Sequence, residues 1–422
     1  MQLFVITLLI LCSFFAHSST KNSESTTRLQ IDPHIYSGSR GSEPQQQLVG
    51  SVHQNWAGQK WQIYAHAEFE SLGRRDLSLD LDRAWYQFSL DGKKDSQRLY
   101  IGRIHPYNIS ENPAANDPFG LLAKNQVRTM GLLLGYGYDG LSLEPKPLLM
   151  GWLGLHYWGE TSNFGWGLSA SPFFLPDSGP EIFLSPNSPV SVGRFARRPS
   201  ETVIINGQTL PIRYELDRSK LFSEVVFQPQ LMGTAKVKWN SKNTLWLNVS
   251  RSPTPEATFN NNSIIRVDAT RADVLAVVRP LYQEKWEASL TNAYQFADVF
   301  HLITNVYANS LQNWGWELGV HSKIFNLGLM NEYSPQKVIG AYGEWLLSAG
   351  VHFKLGIFEL YSGLMTHLAQ GDMWARAALQ YPIEKNMTLN FGTDIFTGNE
   401  QSYFGEWRTN DRLFMLFQWQ VG

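Results

Sequence analysis

Two runs of strict alternation near the C-terminal end constrain this chain most. Met387, Leu389, Phe391 and Ile395 hold odd positions, with Asn386, Thr388, Asn390 and Asp394 between them. After a polar connector the pattern returns, with Leu413, Met415, Phe417, Trp419 and Val421 on the odd face. A β-strand sends successive side chains to opposite faces, so each run carries one apolar face, interrupted in the first run only by Thr393. Each run is about ten residues long, the length of a tilted strand that crosses a bilayer. Either a second sheet covers those faces or lipid does.

The same texture fills most of the chain. Trp61, Ile63, Ala65, Ala67 and Phe69 face one way; Lys60, Gln62, Tyr64, His66, Glu68 and Glu70 face the other. Trp345, Leu347, Ala349, Val351 and Phe353 oppose Glu344, Ser348, His352 and Lys354. Asp76 to Leu90 changes phase near Arg83-Ala84, which predicts a β-bulge. Asp91-Gly92 supplies a hairpin turn, and Arg98 to Ile104 returns. Further strands are expected at 130–138, 148–158 and 164–173, and regularly from Leu231 onward, with 263–279 read as one strand. Soluble strands usually run about five or six residues, whereas these are longer. A soluble sandwich or propeller fits that length poorly. The fold class is therefore all-β: a transmembrane antiparallel β-barrel of about 18 strands, in the range 16–20.

Composition agrees. Aromatic residues reach 13% and charged residues only 17%, which suits an oily outside and a wet inside. The 35 basic and 37 acidic residues nearly balance, which excludes a typical nucleic-acid binder. Leu3 to Phe15 is apolar and is followed by Ala16-His17-Ser18, so residues 1–18 read as a signal peptide cut before Ser19. Residues 19–422 are then the barrel. Cys12 is the one cysteine and falls within the signal, so no disulfide framework is expected.

Two segments break the pattern. Pro106 to Gln126 reads as a long loop. Residues 175–228 are rich in proline and hold little sustained alternation, yet carry enough Ile, Val, Phe and Tyr to be ordered. Within them Asn206-Gly207 predicts a small hairpin between Val203–Ile205 and Leu210–Tyr214. Residues 175–228 are the expected inserted loop or plug, folding into the lumen.

No enzyme chemistry emerges. Gly135-Tyr136-Gly137-Tyr138-Asp139-Gly140 has the spacing of a dinucleotide fingerprint, but Pro145 follows where that motif needs a helix. The ten histidines are scattered, with no HExxH pattern, and no metal set, cofactor or catalytic residues are assigned.

The signal segment, the strand Leu99-Tyr100-Ile101-Gly102-Arg103 and the stretch from Tyr403 to Trp419 make the chain resemble bacterial outer-membrane porins. The texture covers nearly all of residues 19–422, while only these short pieces match in detail. Such barrels usually end on an aromatic residue that the assembly machinery reads; here Phe417 and Trp419 precede Gln420-Val421-Gly422. The resemblance implies an outer-membrane location, with lipid, a small polar solute and the barrel assembly machinery as partners. It also implies passive diffusion of the solute. The alternative is a plugged barrel serving in surface-polysaccharide anchoring or export. Pore candidates are the cations Arg194, Arg197, Arg198 and Arg103 and the wall carboxylates Glu68, Glu70 and Glu344. Arg103 is taken as facing the lumen.

Overall fold

The computed structural model describes residues 23–36, 45–58, 60–70, 78–92, 96–113, 152–174, 202–216, 223, 226–253, 258–268, 271–281, 283–297, 300–322, 324–333, 345–399, 402 and 411–421. The strands are β1 (Ser23–Tyr36), β2 (Gln45–Gly58), β3 (Trp61–Glu70), β4 (Ser78–Ser89) and β5 (Gln97–Ile104). A single helical turn, α1 (Pro106–Ile109), follows β5. Then come β6 (Trp152–Glu160), β7 (Phe164–Ser171), β8 (Thr202–Ile205), β9 (Gln208–Leu216), β10 (Gln230–Asn240) and β11 (Asn243–Pro253). Next are β12 (Thr258–Asp268), β13 (Arg271–Leu281), β14 (Glu284–Ala297), β15 (Phe300–Asn309), β16 (Trp314–His321) and β17 (Phe325–Tyr333). The last five are β18 (Trp345–Leu355), β19 (Phe358–His367), β20 (Asp372–Glu384), β21 (Met387–Thr397) and β22 (Arg412–Val421).

Eighteen strands form one sheet, each pairing antiparallel with its neighbour along the chain once the two loop hairpins β8–β9 and β12–β13 are skipped. The first strand pairs with the last, with Thr27 opposite Val421 and Tyr36 opposite Arg412, so the ring closes. Closure satisfies every strand edge, which is the condition for β-structure in lipid.

Alternation decides which side faces out. On β11, Trp246 and Asn248 are buried while Leu247 and Val249 are exposed. On β21, Asn390 is 1% exposed and Phe391 46%. On β18, Trp345, Val351 and Phe353 are exposed and Ser348 is buried. Phe88, Leu155, Leu168, Leu290 and Val306 continue this outward apolar surface around the ring. An exposed apolar band of this extent is what lipid covers.

The two ends differ. At one end the connections are brief: residues 59–60, 90–96, 161–163, 241–242, 298–299, 322–324, 356–357 and 385–386. The start of β1 and the end of β22 lie at this end too. The other end carries the long connections, among them 105–151, 172–229, 254–283 and 398–411.

Several expectations meet particular outcomes. The bulge foreseen near Arg83 is a register shift in which Tyr64 faces Arg83 and Ala65 faces Leu81, leaving Asp82 extra. The Asn206-Gly207 hairpin is present as β8 and β9, and both turn residues have positive φ, 53° and 80°, as a tight primed turn requires. The expected single strand 263–279 is instead the hairpin β12–β13, with Asp268 opposite Arg271. Its second strand pairs in parallel with β9, with Val274 opposite Ile212. Those four strands form a separate small sheet that is not part of the barrel wall, built from the connections 172–229 and 254–283 at the long-connection end. The expected strand 130–138 lies outside the described residues.

Candidate functional site: an inserted segment on the inner wall

The chain leaves β5 and turns inward. His105 keeps extended backbone, and its Nδ1 accepts the Tyr107 amide at 3.1 Å. Pro106 opens the helical turn, where its missing N–H and fixed φ cost nothing. Ser110 closes it, donating its amide to the Pro106 carbonyl. The segment then meets strands that are far from β5 around the ring, beyond β6 and β7. The Tyr107 and Ser289 hydroxyls lie 3.4 Å apart, and Asn112 Nδ2 donates to Thr291 Oγ1 at 3.5 Å. Trp246 Nε1 donates to the Ser110 carbonyl at 2.9 Å, and Lys236 Nζ to Glu111 Oε2 at 2.8 Å. Ser289, Thr291, Trp246 and Lys236 are buried, inward-facing members of β14, β11 and β10. A chain that links β5 to them passes through the barrel interior. The lumen segment that the structure describes is therefore 105–113.

The wall beneath is a polar lattice set by register. Thr234, Asn248 and Ser289 stand opposite one another on β10, β11 and β14. Thr234 Oγ1 donates to Asn248 Oδ1 at 3.0 Å, and Asn248 Nδ2 donates to Ser289 Oγ at 3.2 Å. One step along, Thr291, Asn305 and Glu317 repeat the arrangement on β14, β15 and β16. Thr291 donates to Asn305 at 3.0 Å and Asn305 to Glu317 at 3.1 Å. Directly opposed cross-strand residues are close enough to bond without backbone distortion.

Beside this lattice lies a charged cluster. Glu160, at the end of β6, accepts from Lys238 at 2.9 Å, Lys236 at 3.3 Å, Arg98 at 3.5 Å and the Trp158 indole at 3.3 Å. The Lys236 ammonium also lies 6.0 Å from the Trp158 ring centroid and 5.9 Å from that of Trp246. Trp158 is fully buried and lies against Gly165 and Gly167 on β7, where any added Cβ would collide with its indole. Glycine there makes room for the ring that in turn walls in Lys236.

A second ion pair sits on β20 and β21. Arg376 is the register partner of Asp394. Its Nε and Nη2 donate to the two carboxylate oxygens at 2.7 and 2.8 Å, and Trp374 Nε1 donates at 3.1 Å. Just before β22, burial pushes the Asp411 carboxyl above its ordinary range. The Phe396 amide donating to it works against that shift, and the charge of Asp394 adds to it.

The predicted pore residues fare unequally. Arg103 is odd-numbered like Leu99 and Ile101, and it stands opposite Leu153, which is exposed on the outer surface. Alternation therefore places it on the outward face; Arg98, on the other phase with buried Tyr100 and Ile104, is the inward cation of β5. Glu68 and Glu70 occupy β3, opposite Ser51 and Val49. Arg194, Arg197, Arg198 and Glu344 lie outside the described residues. Residues not singled out in advance, Arg98, Glu111, Glu160, Lys236 and Lys238, form the charged cluster.

No sequence-family model matches the chain, and no curated protein matches it in sequence. Solved structures do match in shape. OccAB3 of Acinetobacter baumannii aligns at TM-score 0.50 and 8% identity, covering 95% of this chain and 100% of that one. A BenF-like porin from Pseudomonas fluorescens aligns at 0.49 and 9%, covering 95% and 99%. OccK2 of Pseudomonas aeruginosa, solved with glucuronate, aligns at 0.49 and 9%, covering 94% and 98%. With a closed ring of 18 strands, apolar outside and polar within, this chain has the fold of the outer-membrane porin β-barrels.

Proposed function

We propose that the protein is an outer-membrane channel for passive diffusion of small polar solutes. The observation that carries this reading is the closed 18-stranded ring with a hydrogen-bonded polar lattice on its inner wall. A barrel of this strand number is wide enough for water. Outer-membrane barrels put short turns in the periplasm and long loops outside, so connections 105–151, 172–229 and 254–283 belong to the exterior end. The inserted segment starts from that end and narrows the lumen from one side, along β10, β11 and β14. In this reading residues 1–18 direct export, lipid covers the outward band, and the barrel assembly machinery places the chain in the outer membrane.

Liposome swelling tests the proposal. Vesicles carrying the folded protein should swell when placed in isotonic solutions of small sugars or amino acids, at rates that fall as solute size rises. Swelling no faster than protein-free vesicles for every solute would overturn it.

A further inference from the structure

We propose that His352 and Glu359 form a site for zinc or a similar divalent transition-metal ion, on the inner wall at the short-turn end of the barrel. His352 stands near the end of β18 on the phase of buried Ser348, while Val351 and Phe353 on the other phase are exposed outward. Alternation therefore turns the imidazole inward. Its register partner across the 356–357 turn is Tyr361 of β19. Glu359 lies two residues nearer the turn, on the phase of buried Met365.

The spacing of two atoms carries the inference. His352 Nε2 lies 3.4 Å from Glu359 Oε2. That nitrogen is shielded from water, yet it makes no hydrogen bond. The two atoms are neighbours that do not bond to one another. A shielded polar atom left in that state costs free energy. A metal ion shared by both atoms removes the cost. Ligands held at about 2.0–2.1 Å in a tetrahedral site stand about 3.3 Å apart, so the observed spacing needs almost no adjustment. An imidazole nitrogen beside a carboxylate oxygen is a donor pair that suits zinc.

Both ligands are oriented in advance. The Tyr361 hydroxyl donates to Glu359 Oε2 at 2.8 Å, and its ring stacks on the imidazole with centroids 4.2 Å apart and 6° between the planes. Contacts of this kind fix the direction of metal ligands. Glu359 stands opposite Lys354 in register, but its carboxylate turns toward Tyr361 and His352. The His352 and Glu359 side chains are 41% and 31% exposed, which leaves an ion a way in from the lumen. Two protein ligands leave the remaining positions to water or to an oxygen of a passing solute. The site rests on the register of β18 with β19 and stands whether or not the lumen conducts.

Isothermal titration calorimetry of the folded protein in detergent, with zinc chloride in a non-coordinating buffer, tests the proposal. The parent should show a saturable step of a single equivalent. His352→Ala and Glu359→Gln should each abolish that step. Glu384→Gln, which removes an exposed carboxylate at the same end of the barrel, should retain it. Heat-dependent gel mobility confirms that each variant is assembled. If the parent shows no such step, the two side chains are an ordinary ion pair and the proposal fails. It fails equally if the step survives both ligand substitutions, or if Glu384→Gln abolishes it as they do.

Discussion

Asp394→Leu should destabilise the assembled barrel by about 3–5 kcal/mol, the cost of stripping one partner from a buried ion pair. Asp394 is 0% exposed and accepts both bonds of the Arg376 fork and the Trp374 indole proton. Without it, the guanidinium keeps the Trp374 ring, whose centroid lies 5.3 Å from its Cζ, but loses the Asp394 carboxylate. The double variant Arg376→Met with Asp394→Leu removes both charges together. It should come within about 1 kcal/mol of the parent, because an apolar pair of similar volume often replaces a buried ion pair at little cost. Urea unfolding from lipid vesicles measures both. If the single and double variants lose the same stability, the pair does not act as a coupled unit.

Leu247→Arg should cost roughly 2–4 kcal/mol of barrel stability, and Leu413→Arg only about 0–1 kcal/mol. Both leucines are exposed on the outward surface. They differ in depth: Leu247 is mid-strand on β11, while Leu413 is the second residue of β22, next to connection 398–411. A cation at the bilayer midplane is far from water, whereas one near the strand end reaches the interface. The same unfolding measurement separates them. Equal losses at the two sites would mean that lipid does not cover this surface as a band.

Much of this was legible in the sequence, and the parts that were not have physical causes. The period of two is strictly local, so the outward face of β18, β21 and β22 could be read residue by residue. Arg98 against Arg103, and Lys236 and Lys238 against Val237, are equally local; the phase of each strand assigns them, and on that phase Arg103 falls with Leu99 and Ile101 rather than with the inward residues. Which carboxylate meets which cation is a matter of register. Glu160 and Lys236 are far apart in the chain and meet because β7 pairs with β10 across a long connection. No local pattern encodes that pairing. The β12–β13 hairpin reads as one strand in sequence because residues 269–270, Ala-Thr, carry none of the Gly, Asn or Pro that marks a turn. The inserted segment was the hardest to see. Residues 105–113 hold their place by tertiary bonds to Ser289, Thr291 and Trp246, and their one local signal is Pro106 directly after a strand.

In the proposed reading this barrel encloses a water-filled path that the inserted segment narrows without sealing. Single-channel recording in planar bilayers tests it most directly. The purified, folded protein should insert in discrete steps, each adding a current that is proportional to voltage at low potentials and persists for seconds or longer. Silent insertion, with heat-modifiable protein present in the membrane and no current steps at any applied voltage, would contradict it.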